Sequence, residues 1–452
     1  MRIAVIGLGK LGSPLAAVLA SKGHTVIGVD LNQSFVDAIN EGRAPVVEPQ
    51  LQELIDKSRD RLSATTDFAE AISQTEISFV IVPTPSDARG VFTNKFVLGA
   101  VEKIGAALRK SDHYHVVNIT STVMPGSTGG EIRACLEQFS GRTVGDNLGL
   151  TYNPEFIALG SVVRDMLFPD MLLIGESDKR AGDTLQAVYE GTVESNPPFQ
   201  RMNLVNAEIT KISVNTYVTT KISYANMLSE LCDRLPEADV DVVTDALGRD
   251  SRIGRKYIKG ALGYGGPCFP RDNIAFSVLA RSLGAAPRLA EATDEVNKAQ
   301  VKRLADKVAA ISGPKTSVAV LGMSYKPGTP VIEESQGVML ARALAEEGRA
   351  VTIFDPMAAD AAKAVLPVWV EKAETLETAV AAADVIVIAT AWDEFRAIPV
   401  QALARGDKRV VVLDCWRSLD PALYGPVVDL HHLGKGPARP AADGAGQRAQ
   451  AG

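Results

Sequence analysis

Apolar residues fall along the first part of the chain in short unbroken runs, at 2–6, 24–29, 77–82, 115–120, 148–152 and 172–175. Each run ends in a turn and gives way to residues spaced at helical period. Runs of four to six apolar residues without alternation are those of strands buried on both faces, and strands alternating with helices predict a parallel, doubly wound α/β sheet. From about residue 206 to 233 the pattern becomes one long helix, and helical character continues to about 310. The strand pattern then returns at 317–322, 351–355, 385–390 and 410–413. From Gly434 onward the chain is rich in Gly, Ala and Pro and almost without large apolar residues, which predicts a disordered tail. The predicted architecture is two doubly wound α/β domains, at 1–200 and 311–433, joined by a long central helix and a helical middle domain at 201–310, with a tail at 434–452.

The turn after the first run reads Gly7-Leu8-Gly9-Lys10-Leu11-Gly12, and Asp30 ends the second run, 18 residues beyond Gly12. Strand, GxGxxG, helix, strand and acid in this order form the dinucleotide-binding unit of a Rossmann-like domain. Gly7 makes the tight turn, Gly9 admits the pyrophosphate, Gly12 allows close helix packing, and Lys10 and Leu11 lie in the same turn. Asp30 is placed to hold ribose hydroxyls and to repel a 2′-phosphate, and Leu31, Asn32 and Gln33 supply no cation for one. The expected cofactor is therefore NAD rather than NADP. The second sheet has no such fingerprint; its first turn reads Gly322-Met323-Ser324-Tyr325-Lys326-Pro327, which suggests a different nucleotide ligand.

Composition narrows the class. At 452 residues the chain exceeds one core, and its hydrophobic fraction of 46% with 22% charged residues is that of a globular protein. A net charge of −7 and a pI near 5.5 argue against nucleic acid as a partner. No apolar run reaches the roughly 18 residues of a membrane span. Cys135, Cys232, Cys268 and Cys415 lack both metal-ligand spacing and a disulfide framework, so no metal is expected and a reducing cytoplasm is the expected compartment.

Candidate chemistry gathers in three places. Pro83-Thr84-Pro85 and Ser121-Thr122-Val123 follow two strands, where ligands of such sheets sit; the same residues fit ordinary strand-end turns. Lys211 and Asn215, four apart, share a helix face on which Asn226 also lies, and there an amine and an amide serve either as donors to an oxyanion or as a solvated face. The loop Leu262-Gly263-Tyr264-Gly265-Gly266-Pro267-Cys268-Phe269-Pro270-Arg271-Asp272 carries three glycines, two prolines and a thiol beside a cation. A neighbouring cation favours the thiolate, the form that attacks carbon. Beside a hydride-transfer cofactor, such a cysteine suggests a covalent step between two oxidations.

The order of these features resembles the UDP-glucose/GDP-mannose dehydrogenase family over residues 1 to about 430. Further strings carry the likeness: Glu48-Pro49 with Leu51, Ala64-Thr65-Thr66-Asp67, Asn153-Pro154-Glu155-Phe156, Arg252-Ile253-Gly254 and Tyr325-Lys326-Pro327. Cys268-Phe269-Pro270 looks more like the UDP-glucose branch. The resemblance implies a four-electron oxidation of a sugar C6 alcohol to a carboxylate, with UDP-glucose to UDP-glucuronate as the first reading. Another NDP-sugar, either a UDP-N-acetylhexosamine or a GDP-sugar, is the alternative, with an NAD-retaining epimerase as a rival that Cys268 argues against.

In the implied roles, Lys211 and Asn215 stabilise the C6 oxyanion, and Cys268 forms a thiohemiacetal and then a thioester. Asp272, Thr122 and Glu155 handle the hydrolytic water. Phe156, Tyr264, Gly265, Tyr325 and Lys326 line the nucleotide sugar, and Arg252 reaches a neighbouring subunit's site in a homodimer built on the long helix. Leu159 stands where relatives often carry a carboxylate, Glu333 where they commonly carry an arginine, and Cys415-Trp416 where they usually have polar residues.

Overall fold

In a computed structural model, residues 1–439 are described, apart from 314, 382 and 407. They divide into two compact units: Met1–Val214 with Ile274–Ala286, and Asn215–Asn273 with the chain from Pro287.

The first unit is built on eight strands: β1 (Arg2–Ile6), β2 (Thr25–Val29), β3 (Leu62–Thr65), β4 (Ile77–Val80), β5 (His115–Ile119), β6 (Leu148–Tyr152), β7 (Leu172–Glu176) and β8 (Phe199–Asn203). Their spatial order is β3-β2-β1-β4-β5-β6-β7-β8, and every pair is parallel except β6 with β7. The order reverses between β1 and β4, so the crevice beyond their carboxyl ends is the ligand position of a doubly wound sheet. β4, β5 and β6 are buried along their whole length, as continuous apolar runs require. The helix Gly12–Ser21 is buried from Gly12 to Ala20 because other helices cover the side that faces away from the sheet.

The second unit holds β9 (Val318–Leu321), β10 (Val351–Phe354), β11 (Glu371–Lys372), β12 (Val385–Ile388), β13 (Val411–Asp414) and β14 (Asp429–His432), all parallel in the order β11-β10-β9-β12-β13-β14. Leu304, Leu340 and Leu344 belong to one apolar layer of this unit; Phe395, Leu403 and Tyr424 belong to the other.

The middle helices are Leu204–Arg234, Val240–Arg249, Phe269–Ser282 and Arg288–Ile311. The unit boundary falls inside the first and third of these. The doubly wound α/β class predicted from the sequence is the one observed. Four strands escaped the pattern, namely β3, β8, β11 and β14, and they are the four sheet edges.

The expected start of the tail is corrected. Gly434 donates to Asp233 and accepts from Val240 N at 2.8 Å, and Glu237 N donates to Pro437 O at 3.0 Å. These contacts at a helix start extend ordered structure past 434. Residues 440–452, the rest of the predicted tail, lie outside the described residues. No described helix is long and apolar enough to cross a membrane.

Candidate active site

In the first unit the turn after β1 is set by hard contacts. Gly7 has φ +100°, and a Cβ on Gly12 would stand 1.7 Å from Gly7 O, so the helix packs against the turn only because residue 12 is glycine. Gly9 has no heavy atom within 4 Å of where its Cβ would be, which leaves open backbone at the N-terminus of the helix Gly12–Ser21. An anion is favoured there by the unpaired amides and the helix dipole. Asp30 accepts from Leu8 N at 2.6 Å through Oδ2 and from Asn32 N at 2.8 Å through Oδ1. Each oxygen keeps further acceptor capacity for a hydroxyl. Lys10 is exposed and Leu11 partly buried. These residues fit NAD: an open phosphate cradle, and a carboxylate with free acceptor capacity at the end of the fingerprint.

Two further strand ends reach the same edge of the sheet. Ser121 bridges Val82, accepting from its N–H at 2.9 Å and donating to its carbonyl at 2.7 Å, and Thr84 donates to Thr122 O at 2.7 Å. The strand-end hydroxyls thus splice the segments after β4 and β5 together. Glu208, which the sequence reading passed over, fastens the other end of that segment. Its fully buried carboxylate accepts from Gly126 N at 2.6 Å and Thr128 N at 2.7 Å. Glu48 does the same for the segment after β6, accepting from Gly160 N at 3.0 Å and Val162 N at 2.8 Å. No local pattern could reveal either, because each contact spans 80 or more residues.

Lys211, on the same helix three residues beyond Glu208, donates to Glu155 O at 2.6 Å, and its ammonium stands 4.7 Å from the centroid of the Phe156 ring. Glu155 Oε1 is sealed from solvent with no hydrogen-bond partner among the described residues. Burial pushes the Glu155 carboxyl up to about 7, with Lys211 pulling the other way. A carboxyl poised near neutrality beside a lysine is suited to proton transfer. Burial also raises Tyr189, with Glu155 as its charged neighbour, and its hydroxyl donates to Asn153. Leu159 packs against the apolar layer that holds the helix Gly12–Ser21.

In the second unit Asn215 donates to Asp272 Oδ2 at 2.6 Å, and Asp272 is 1% exposed in the first turn of Phe269–Ser282. Asp272 N donates to Cys268 O at 2.8 Å, closing the first helical turn and placing the exposed Cys268 just before the helix start. Positive charge at a helix start favours an anion there, an influence beyond the neighbouring cation seen in the sequence. Gly265 and Gly266 are needed for packing: a Cβ would stand 2.2 Å from Glu334 O at the first and 2.6 Å from the Tyr325 ring at the second. Gly266 N also donates to Glu333 O at 2.9 Å. Glu333, the charge reversal noted in the sequence, therefore contributes its backbone to the cysteine loop while its side chain is exposed.

Burial raises Tyr325 to about 12, with Cys268 and Glu333 as the charged neighbours. Burial raises Tyr264 as well, and its hydroxyl has no partner among the described residues. Lys326 stands 5.9 Å from the centroid of the Tyr325 ring. Arg252 is paired with Asp250 at 2.6 Å, with 86% of its side chain exposed.

The long helix thus spends its three predicted polar residues on three different tasks: Lys211 on Glu155, Asn215 on Asp272, and Asn226 on the backbone at 261 and 262. A Rossmann fingerprint with an open cradle, a lysine beside a carboxyl raised toward neutrality and an exposed cysteine at a helix start define an NAD-dependent oxidoreductase. The chain matches the UDP-glucose/GDP-mannose dehydrogenase family models for the NAD binding domain at residues 1–193, the central domain at 205–299 and the UDP binding domain at 319–421. It belongs to that family.

Among its relatives is a UDP-glucose 6-dehydrogenase of Haloferax volcanii, 37% identical, the match covering 91% of this chain and 96% of the relative. A GDP-mannose 6-dehydrogenase of Pseudomonas syringae is 36% identical over 78% of this chain and 81% of its own. A solved UDP-glucose dehydrogenase from Pyrobaculum islandicum superposes with a TM-score of 0.84 at 32% identity, covering 96% of this chain and 97% of that one.

Proposed function

We propose that the chain oxidises UDP-glucose to UDP-glucuronate with two equivalents of NAD, working as a cytoplasmic homodimer. The observation that carries the proposal is the exposed Cys268 at the start of a helix whose first turn holds the buried Asn215–Asp272 pair. NAD, which the Gly7–Gly12 turn and Asp30 would hold, would supply the hydride acceptor for each oxidation. Lys211 and Asn215 stabilise the C6 oxygen as its proton leaves. The Cys268 thiol adds to the resulting aldehyde, the S–C bond forming as the carbonyl becomes a hydroxyl. Loss of hydride from C6 and of the hydroxyl proton gives a thioester. Water then adds to the acyl carbon, positioned and activated by Asp272, Thr122 and Glu155, a carboxylate taking its proton, and the C–S bond breaks to release carboxylate and thiol.

Cys268-Phe269-Pro270 and the two UDP-glucose relatives support UDP-glucose, while the GDP-mannose 6-dehydrogenase relatives make a GDP-sugar the second reading. Tyr264, Gly265, Tyr325 and Lys326 are assigned to the nucleotide sugar together with Phe156. Tyr217, Tyr224, Met227 and Leu231 recur along one helix and are 48–64% exposed, an apolar stripe suited to a second copy. Arg252, held in solvent by Asp250, is the residue that would cross to the partner's site. A screen of UDP-, GDP- and dTDP-sugars for NADH formation, with product mass, tests the reading. UDP-glucose should give two NADH per sugar, and a clear preference for a GDP-sugar would replace it.

A further inference from the structure

The cysteine loop has no regular strand partner, yet its approach to Cys268 is held as a strand would be. Asn226, 1% exposed, accepts from Ala261 N at 3.1 Å and donates to Leu262 O at 2.9 Å. Asn297, 7% exposed, accepts from Tyr264 N at 2.7 Å and donates to Tyr264 O at 3.0 Å. Each amide offers a donor and an acceptor side by side, matching the N–H and C=O of the loop. Between the two clamps, a Cβ on Gly263 would meet Asn297 Oδ1 at 2.6 Å and Gln336 Oε1 at 2.9 Å, so the loop lies tight against these side chains. Beyond Tyr264 the chain rests on Glu334 O and Tyr325, and four residues on it enters the helix at Cys268.

We infer that Asn226 and Asn297 are positioning residues for Cys268, fixing the thiol for attack on the aldehyde. The inference rests on the covalent role proposed for Cys268. The amide pattern is what does it: an Asp at 297 would keep the acceptor for Tyr264 N but face Tyr264 O with a lone pair, and a buried carbonyl without its donor is costly. Releasing Tyr264 frees the segment leading to the thiol, and a shift of about 1 Å in a reacting group costs on the order of 100-fold in rate. Asn226 holds only the backbone at 261 and 262, so its loss should slow the covalent step more than it weakens sugar binding, whereas loss of Asn297 also disturbs Tyr264, which is assigned to the sugar.

The test compares Asn297→Asp, Asn226→Asp and Cys268→Ala in the full chain. Asn297→Asp is expected to lower kcat for carboxylate about 30-fold, with a smaller rise in KM for UDP-glucose from the disturbed Tyr264, and to release aldehyde after one NADH. Alkylation of Cys268 by iodoacetamide, followed by intact mass and needing no substrate, should change at least about fivefold in rate. Asn226→Asp should move both readouts in the same direction, and carries the test if the 297 variant does not fold. Wild-type partition and alkylation in a folded variant would overturn the inference, as would a loss of rate that only follows a lower Tm. If Cys268→Ala forms carboxylate at the wild-type rate, the covalent reading itself fails. If that variant is inactive while the asparagine variants behave as wild type, only the clamp fails.

Discussion

The two sheets share an architecture and differ in how a single aspartate is used. Asp30 follows β2 and Asp355 follows β10, and both take backbone amides from the turn after the first strand of their sheet. Asp30 accepts two bonds, one from Leu8 N in that turn and one from its neighbour Asn32 N. Asp355 is 4% exposed and carries six: Met323 N, Ser324 N, the Ser324 hydroxyl and the Trp392 indole on Oδ2, with Met357 N and Ala358 N on Oδ1. A carboxylate with spare lone pairs is available to a ribose, and a saturated one is a structural joint. The glycines differ in the same sense: Gly7 and Gly12 leave open backbone at Gly9, whereas the turn after β9 places Ser324 and Tyr325 where the first sheet has its phosphate cradle. The comparison teaches that one fold leaves the same position open in one sheet and fills it in the other.

The largest effect should come from the glycine at each helix start. Gly12→Val puts a side chain on Gly7 O and should weaken NAD binding more than about 100-fold by calorimetric titration, leaving nucleotide-sugar binding in place. Gly337, whose Cβ would stand 2.0 Å from Gly322 O, is its mirror; Gly337→Val should spare NAD and damage the second unit. Next come the aspartates. Asp30→Ala should raise Kd for NAD about 10- to 100-fold with little change in Tm. Asp355→Ala should leave Kd for NAD alone and cost about 3 kcal/mol or more in stability by denaturant titration, since buried donors lose their acceptor. If both variants weaken NAD equally, the division of labour between the sheets is wrong.

A smaller effect concerns pH. Glu155 is raised to about 7 by burial, so the carboxylate proposed to activate the hydrolytic water is lost as pH falls through about 7, and kcat should fall with it. Glu155→Gln should remove that limb along with most of the rate. For stability the sign is opposite to that of an ion-paired carboxylate. The raised group stabilises below its ordinary value near 4.3, and that contribution is lost as pH rises through about 7. Glu155→Gln should therefore raise Tm at pH 8 and hardly change it at pH 4.

What the sequence revealed and what it hid follow from range and burial. The central strands were legible because burial on both faces demands unbroken apolar runs such as β1, β4 and β12. The edges were not, because β8 reads Phe-Gln-Arg-Met-Asn and β14 Asp-Leu-His-His, half exposed and polar as edges are. Residues assigned to ligands in short motifs, from Gly7 to Asp30 and from Gly265 to Asp272, could be read as strings. Glu208 and Asn297 could not, and Glu48 was read only as part of a string without its contact, since their partners lie 80, 33 and 112 residues away and only the fold brings them together.

The central claim is that Cys268 carries the second oxidation, and NADH yield per sugar in a Cys268→Ala variant tests it most directly. The wild type should give two NADH and a carboxylate from each UDP-glucose. The variant, still folded and still binding NAD, should give at most one NADH and an aldehyde. Two NADH and a carboxylate from the variant at the wild-type rate would contradict the account.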